Sequence, residues 1–269
     1  MTDTSRIALL GVPYDAASSF QRGAAEGPAA VRDALASDAT NGWSESLIDL
    51  RAPGVIVDAG DVGVNTDDDD VRARIEAAMA AVMASERKPI VLGGDHSITY
   101  PLIRAVRRRY PRLAILHIDA HADLYEIFEG NRYSHACPFA RIMEERLADR
   151  LVQVGIRTMN PHLRQQADRF GVEVITMREW TDNRALAFTD PLYVSIDLDA
   201  FDPAFAPGVA HREPGGFSSR QVIDIIQRVQ GTIIGADVVE CNPRNDPAAI
   251  TPWLAAKLVR ELAARIVER

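Results

Sequence analysis

The sequence contains little cysteine and no long apolar run. Cys137 and Cys241 are its two cysteines, and they lie far apart outside any CxxC spacing, which argues against a disulfide framework and a thiolate zinc site. We expect both to be buried free thiols. No segment approaches the about 20 apolar residues that span a bilayer, and the amino terminus shows no cationic stretch followed by an apolar run. These absences predict a cytoplasmic protein without a membrane partner.

An excess of positive charge is also missing. The formal net charge is -8, because 30 Lys and Arg residues stand against 38 Asp and Glu residues. A surface of this sign repels phosphates, so nucleic acid is excluded as a partner. The 269 residues are 47% apolar and 25% charged, as in ordinary globular proteins. We expect residues 1–269 to form a single domain.

Short runs rich in Val, Ile and Leu alternate with amphipathic stretches along the chain. This alternation predicts an α/β fold, a three-layer α/β/α arrangement around a parallel sheet of about eight strands. The acidic run 67–70 lacks the glycine and distal glutamate of a calcium loop, and we expect it to precede a helix. The predicted strands are 7–12, 55–57, 89–92, 113–118, 151–156, 172–175, 192–196 and 232–239, and the predicted helices are 28–36, 71–87, 98–109, 135–149, 161–170, 218–229 and 251–267.

Candidate functional side chains follow four of these strands, at the sheet edge where open α/β sheets place their sites. His96 follows the third strand, but a lone histidine there is more often structural. Asp119, His121 and Asp123 follow the fourth strand at alternate positions, which share one face of an extended chain. Three such groups crowded together repel or stay desolvated unless a cation neutralises them, so this segment predicts a metal site.

Asp197 and Asp199 repeat the arrangement after the seventh strand. A carboxylate pair for glycoside hydrolysis is the competing interpretation, but it leaves the two histidines unexplained. Two imidazoles and four carboxylates form an oxygen-rich set without thiolate, which favours Mn²⁺, with Co²⁺, Ni²⁺ or Fe²⁺ as possible substitutes. Six ligands exceed the need of one catalytic ion with an open position, so we expect two ions about 3.5–4 Å apart.

The segments GGDHS (93–97), DAHAD (119–123) and SIDLDAFDPAFAPG (195–208) resemble the ureohydrolases, the family of arginases, agmatinases and formiminoglutamases. The resemblance covers nearly the whole chain and is nearest to plant-type arginases, through EGNRYSHACPFARIMEE and GADVVECNPRND. It implies a dinuclear manganese hydrolase that cleaves the guanidino group of L-arginine to urea and ornithine, by attack of a hydroxide bridging the two ions. It further implies a small guanidino substrate and a homo-oligomer, either a trimer or a hexamer.

The resemblance also implies residue roles. Asp123 would orient the nucleophile and take its proton. His135 matches the family's proton-shuttling histidine, and a solvent-facing histidine at a helix start is the alternative. Glu240 matches the glutamate that pairs with the substrate guanidinium. The implied ligands are His96, Asp119, Asp123 and Asp197 for one ion, and Asp119, His121, Asp197 and Asp199 for the other.

Substrate-contacting residues follow less directly. His211 stands where many arginases and agmatinases carry threonine, and it is a candidate substrate contact. Asn131 is a candidate donor to a substrate carboxylate, although Gly-Asn is also a common turn pair. Asn160 replaces the aspartate with which animal arginases contact the α-ammonium, so that clamp is not expected. His117 is expected to support a ligand rather than bind an ion. Agmatine, guanidinobutyrate and a formiminoglutamase-type substrate remain alternatives to L-arginine.

Two interpretations of another class are open. A family member that has lost catalysis would have substituted ligands, whereas every ligand position here is filled. A deacetylase-like zinc hydrolase would use one ion and would not need His96 together with the whole DAHAD segment. Metal content distinguishes these, because one Zn²⁺ per chain favours the deacetylase type and two Mn²⁺ ions do not.

Overall fold

A computed structural model describes residues 6–64 and 70–268. In that part of the chain, eight strands and seven α-helices alternate. The strands are β1 (Ile7–Val12), β2 (Ile56–Asp61), β3 (Lys88–Gly93), β4 (Ala114–Ile118), β5 (Arg150–Ile156), β6 (Glu173–Thr176), β7 (Leu192–Asp197) and β8 (Ile233–Val239). The helices are α1 (Gly27–Ala36), α2 (Val71–Ala84), α3 (Thr99–Arg109), α4 (Pro138–Glu144), α5 (Pro161–Phe170), α6 (Ser219–Arg228) and α7 (Ile250–Val267).

All eight strands form one parallel sheet in the order β2-β1-β3-β8-β7-β4-β5-β6. Alternate residues of a strand point to opposite faces. Thus Ile7 and Leu9 of β1 pack with α1, α6 and α7 in one core, while Ala8 and Leu10 pack with α2, α3, α4 and α5 in the other. Helices therefore cover both faces, which confirms the predicted three-layer α/β/α fold with eight parallel strands.

Some predicted boundaries were wrong. Helix α4 begins at Pro138 rather than His135, because turns precede the proline, which suits a first helical turn. Helix α2 ends at Ala84, close to Glu86, whose positive φ of 62° does not continue a helix. Strand β2 extends to Asp61 because it is an exposed edge strand with polar residues, so apolar character does not reveal it.

Three smaller expectations concern single features. Of the acidic run, 67–69 lie outside the described residues. Cys137 and Cys241 are both free and buried, as predicted. Within the described ranges, no helix combines the length and the apolar character that crossing a bilayer requires.

Candidate metal centre and catalytic cavity

The predicted ligands meet at the carboxyl ends of neighbouring strands. His96 follows β3, Asp119 and its neighbours follow β4, and Asp197 ends β7. Strands β3, β8, β7 and β4 are adjacent and parallel, so their carboxyl ends lie at one edge of the sheet. Five of the six ligand candidates are buried there, and His121 is partly exposed.

His96 faces three carboxylates. Its Nδ1 lies 3.1 Å from Oδ2 of Asp197 and 3.2 Å from Oδ2 of both Asp119 and Asp123. One imidazole nitrogen and three carboxylate oxygens thus converge on a single point. This is the first candidate ion site.

A second cluster shares Asp119. Nδ1 of His121 lies 2.9 Å from Oδ2 of Asp199 and 3.5 Å from Oδ1 of Asp119. Asp119 therefore presents one oxygen to each cluster, which is how a carboxylate bridges two ions. Asp197 is placed differently: its Oδ1 accepts the backbone N–H of Asp199 at 2.8 Å, while its Oδ2 faces His96.

Hydrogen bonds behind His96 fix its tautomer. Nε2 lies 2.9 Å from Oγ of Ser195, which donates its own proton to Oδ1 of buried Asp237 at 2.6 Å. Because that hydroxyl proton is used, Nε2 of His96 donates to Ser195 and Nδ1 turns a lone pair towards the carboxylates. Thr99 and Tyr193 also donate to Asp237. Sequence reasoning missed this chain of hydrogen bonds. The one sign of it in the sequence is a polar residue within a strand that is otherwise apolar, which does not reveal the partner.

His117 lies beside the ligands, but both its ring nitrogens are occupied. Nδ1 accepts from the side-chain amide of Gln153 at 3.0 Å, and that amide also donates to the carbonyl of Ala122. Nε2 therefore donates to Oδ2 of Asp119 at 2.7 Å. His117 orients Asp119 and has no nitrogen free to bind an ion.

The electrostatics of the cluster test whether a metal fits. Burial, and then the carboxylates of Asp199 and Asp119, raise the pKa of Asp197 well above its usual range. Burial also raises the pKa of Asp199 to about 7, against the opposing effect of His121. The carboxylates in turn raise the pKa of His96 and of His121 against the effect of burial, so the cluster attracts positive charge. Four carboxylates crowded into a buried cluster repel one another unless cations neutralise them. The donor set therefore fits divalent metal ions.

A histidine–glutamate pair adjoins the ligands. Nδ1 of His135 lies 2.9 Å from Oε1 of Glu240, which also accepts the backbone N–H of His96 at 3.0 Å. Burial lowers the pKa of His135, but Glu240 outweighs it and the pKa rises to about 9. Nε2 of His135 lies 2.9 Å from Oγ of Ser19. His135 can thus hold a proton at neutral pH and exchange it at Nε2.

The second oxygen of Glu240 is an acceptor without a donor. Oε2 is buried and has no hydrogen-bond partner among the described residues. Leaving a buried acceptor without a hydrogen bond costs roughly 1–3 kcal/mol, so we expect an N–H group of a ligand to donate to Oε2.

Asp123 and Glu240 both have a left-handed backbone, with φ of 51° and 64°. A non-glycine residue held in this region costs about 1–3 kcal/mol, and such positions cluster at active sites.

The ligands open into a cavity of about 200 Å³. Loops from distant parts of the sequence form its wall, and within the described chain no Lys or Arg lines it. Sequence reasoning did not identify half of the lining residues, mainly because loop residues carry no periodicity. The missed lining residues are Ser19, Ala122, Tyr125, Phe128, Ala136 and Thr158, with Leu163 of α5.

Of the three predicted substrate contacts, Glu240 and His211 line the cavity and Asn131 does not. His211 lines the cavity, with its ring centroid 5.3 Å from that of His135 and 5.7 Å from that of His121. Burial and these two histidines lower the pKa of His211, and its Nε2 is buried without a partner among the described residues. Asn131 does not line the cavity. Its Oδ1 accepts the backbone N–H of Tyr133 at 2.8 Å, which stabilises a turn.

Asn160 shapes the wall without lining it. Its Oδ1 caps α5 by accepting the N–H of Leu163 at 2.9 Å, and its Nδ2 donates to the Tyr125 hydroxyl at 2.7 Å. Both partners line the cavity. Nearby, Arg157 donates to the backbone carbonyl of Asp199 at 2.7 Å and so braces the loop after β7.

With this geometry established, comparison with known proteins identifies the family. A family model described as "Arginase family" matches residues 5–264. The chain belongs to this family. It is therefore a ureohydrolase of the arginase and agmatinase type, as its sequence motifs predicted.

Relatives of this arginase-family chain include plant proteins. Arginase 1, mitochondrial, of Arabidopsis thaliana is 48% identical over 274 residues, covering 96% of this chain and 80% of the relative. Arginase 2, chloroplastic/mitochondrial, of the same plant is 46% identical over 275 residues, with the same coverage. The solved arginase from Medicago truncatula has a TM-score of 0.93 and 46% identity, covering 99% of this chain and 89% of that one.

These relatives correct one expectation. The sequence predicts a cytoplasmic protein, but plant arginases similar to it are named as mitochondrial or chloroplastic. The cytoplasmic prediction is therefore wrong. It depended on the lack of apolar segments, whereas transit peptides to these organelles are amphipathic and contain no such segment.

Proposed function

We propose that this ureohydrolase is an arginase that hydrolyses L-arginine to urea and ornithine with two Mn²⁺ ions. The observation that carries the proposal is the convergence of six ligand side chains, from His96 to Asp199, at a cavity that also holds the His135–Glu240 pair. Similarity to plant arginases supports L-arginine as the substrate.

The proposed ions occupy the two clusters. An oxygen-rich donor set favours Mn²⁺ over a structural zinc, with Co²⁺, Ni²⁺ or Fe²⁺ as substitutes. When bound, the ions lower the pKa of water from about 15.7 towards neutrality and so supply hydroxide. As the family resemblance implies, His96, Asp119, Asp123 and Asp197 would hold one ion and Asp119, His121, Asp197 and Asp199 the other. Asp197 would serve both ions through Oδ2, because its Oδ1 accepts the backbone N–H of Asp199.

Glu240 and Asp123 prepare the reaction. The unpartnered Oε2 of Glu240 accepts a guanidinium N–H, while Oε1 stays held by His135 and the backbone of His96. Planar guanidinium and carboxylate groups pair well, so the substrate carbon is oriented towards the ligand cluster. Asp123 lines the cavity and accepts the proton of the attacking nucleophile.

His135 completes the reaction by protonating the leaving amine. Its raised pKa keeps a proton on the imidazole at neutral pH. The Ser19 hydroxyl lies 2.9 Å from Nε2 at the cavity wall, where it can exchange a proton with the imidazole. Urea and the amine are then the products.

Agmatine is the second candidate substrate, and one observation favours it. The described cavity wall contains no Lys or Arg to pair with an α-carboxylate, and Asn131 lies outside the cavity. L-arginine must therefore rely on neutral groups such as Ser19, Thr158 and His211. Agmatine has no carboxylate and avoids this requirement.

A substrate panel tests the proposal. Mn²⁺-loaded protein is incubated with L-arginine, agmatine and 4-guanidinobutyrate, and urea is measured; we expect the highest kcat/KM for L-arginine. A higher kcat/KM for agmatine would mean that agmatine, not L-arginine, is the substrate. Absence of urea with every compound would overturn the assignment as an enzyme. Metal analysis of the same sample is expected to give two Mn²⁺ per chain, and one Zn²⁺ would contradict the dinuclear centre.

We also propose that the chain forms a homo-oligomer, a trimer or hexamer. Large apolar side chains at its surface support association, among them Leu47 at 77% exposure and Trp43 at 48% in the same loop. Light scattering of the purified protein gives the mass. A monomer at micromolar concentration would contradict this proposal.

A further inference from the structure

A second cavity, of about 350 Å³, lies between α1, α7 and the edge strand β2. It shares no lining residue with the catalytic cavity. Leu9, Leu35, Leu50 and Ile56 give it a largely apolar wall. Its volume lies within the range of small-molecule pockets.

Arg260 of α7 lines this cavity as a buried cation that forms no ion pair with a described residue. The residue is 7% exposed, and its guanidinium makes no hydrogen bond or ion pair with any described residue. Glu261 follows it in sequence, but that carboxylate binds Lys257 at 2.6 Å and Gln227 at 2.9 Å instead. A buried charge without a partner is destabilising, so this arrangement calls for an anion.

A second guanidinium, that of Arg51, lines the same cavity. Its Nη2 donates to the carbonyl of Ser37 at 2.8 Å, which fixes its position, and its nearest carboxylate, on exposed Asp38, is 3.9 Å away. Burial lowers the pKa of Arg260, the nearby carboxylate of Glu261 opposes this in part, and the charge of Arg51 lowers the pKa further. Two cations that repel each other therefore face one apolar space.

The third arginine in the wall adds no free charge. Arg32 is ion-paired with Asp58 at 2.8 Å and with Asp61 at 2.5 Å. Asp58 is the one carboxylate among the lining residues, and it is engaged in this pair. Among the lining arginines, Arg260 thus has no described carboxylate within ion-pair distance, and Arg51 has only the long contact with exposed Asp38.

We propose that this cavity binds a small carboxylate with a short aliphatic body. A carboxylate placed between Arg51 and Arg260 accepts charge-assisted hydrogen bonds and relieves their repulsion. The aliphatic part is then covered by the leucine and isoleucine side chains. The site lies apart from the metal ligands, so it is independent of the proposed catalytic function.

Thermal unfolding of the purified full-length protein tests this proposal. Hexanoate is the probe, while hexan-1-ol and inorganic phosphate test the need for charge and for the apolar chain. We expect hexanoate to raise the unfolding midpoint most, because a ligand that binds the native state stabilises it. We expect Arg260→Met to weaken hexanoate binding by about 10-fold or more.

The ligand-free variant gives a second readout. Arg260→Met removes an uncompensated charge, so without hexanoate it is expected to unfold at no lower temperature than the wild type. Arg260→Lys keeps the charge and is expected to retain part of the hexanoate effect. Arg228→Met is the matched control, because Arg228 is an exposed α6 residue paired with Asp224.

Three results would overturn the proposal. One is no stabilisation by hexanoate in the wild type, and another is equal stabilisation in Arg260→Met. The third is a smaller oligomer for Arg260→Met without any hexanoate effect, which would mean that a second copy of the chain supplies the anion. Because unfolding rather than urea release is measured, none of these results affects the proposed arginase activity.

Discussion

The ligand cluster and the cavity wall are built in different ways. Each ligand follows a strand in the middle of the sheet, and backbone or side-chain hydrogen bonds hold it, as for His96 and Asp119. The wall consists of loop residues far apart in sequence, such as Ser19 and His211. We infer that the residues at the sheet edge determine the reaction, and that the loop residues of the wall determine substrate specificity. Substitutions in the cluster should then change rate and metal content, whereas substitutions in the wall should change KM.

The largest effect is expected for Asp119→Asn, which weakens both clusters at once. Loss of a bridging ligand should lower kcat/KM by about 1000-fold, since the metal centre supplies several kcal/mol of transition-state stabilisation. Urea release and metal content are measured together, with exposed Asp33→Asn as the control. Two tightly held ions and an unchanged rate in Asp119→Asn would contradict the assignment.

His135→Asn is expected to lower kcat by roughly 100-fold, because general acid catalysis contributes about that much or more. The metal content should stay at the wild-type value, since His135 is not an assigned ligand. This combination separates a proton-transfer role from a ligand role. Loss of an ion in His135→Asn would indicate that His135 is a metal ligand instead.

Ser195→Ala and Asp237→Asn test the support behind His96. Each should weaken Mn²⁺ binding by roughly 10- to 100-fold, because partners of a ligating histidine fix its tautomer and orientation. Metal titration measures the affinity directly, and Ser85→Ala, at the end of α2, is the control. Unchanged Mn²⁺ affinity would show that the Asp237–Ser195–His96 hydrogen bonds do not orient the ligand.

His211→Ala tests the wall. We expect KM for L-arginine to rise about 10-fold with kcat changed little, because a neutral hydrogen-bonding group is lost from binding. Agmatine should be affected less, since it has no carboxylate to contact. Equal changes in KM for both substrates would argue against recognition of the carboxylate by His211.

The smallest effect is expected for Asn160→Ala, which removes the cap of α5. The free energy of unfolding, measured with denaturant, should fall by about 1 kcal/mol. Asn160→Asp should retain most of the wild-type stability, because aspartate also caps a helix. A modest rise in KM is also expected, because Tyr125 loses its hydrogen bond. A stability loss without any KM change would limit Asn160 to a structural role.

The predictable part of this protein is the part governed by periodicity. The apolar runs predicted all eight strands, and the spacing of Asp119, His121 and Asp123 predicted that they lie at the end of β4. They are not on one face of an extended chain, because the backbone bends after Asp119 and Asp123 is left-handed. Periodicity did not place β2 correctly, because an exposed edge strand needs no apolar face. Nor did it find Ser195 and Asp237, whose role depends on contacts between different strands.

Loops were predicted least well, and Asn131 shows why. Its residue type suits both a substrate contact and a turn, and the fold uses its Oδ1 for the turn. Only the three-dimensional path of the loop decides between these uses. His211, by contrast, lies at the cavity, but its role as a substrate contact remains a prediction.

The left-handed backbone of Asp123 and Glu240 means that folding and activity make opposing demands on these two positions. Glycine would relax the chain there, yet it would remove two carboxylates that line the cavity. The protein thus retains conformational energy that a selection for heat resistance alone would discard. Screens for hardier variants should therefore monitor urea release, since the easiest gains at these strand ends would come from inactive molecules.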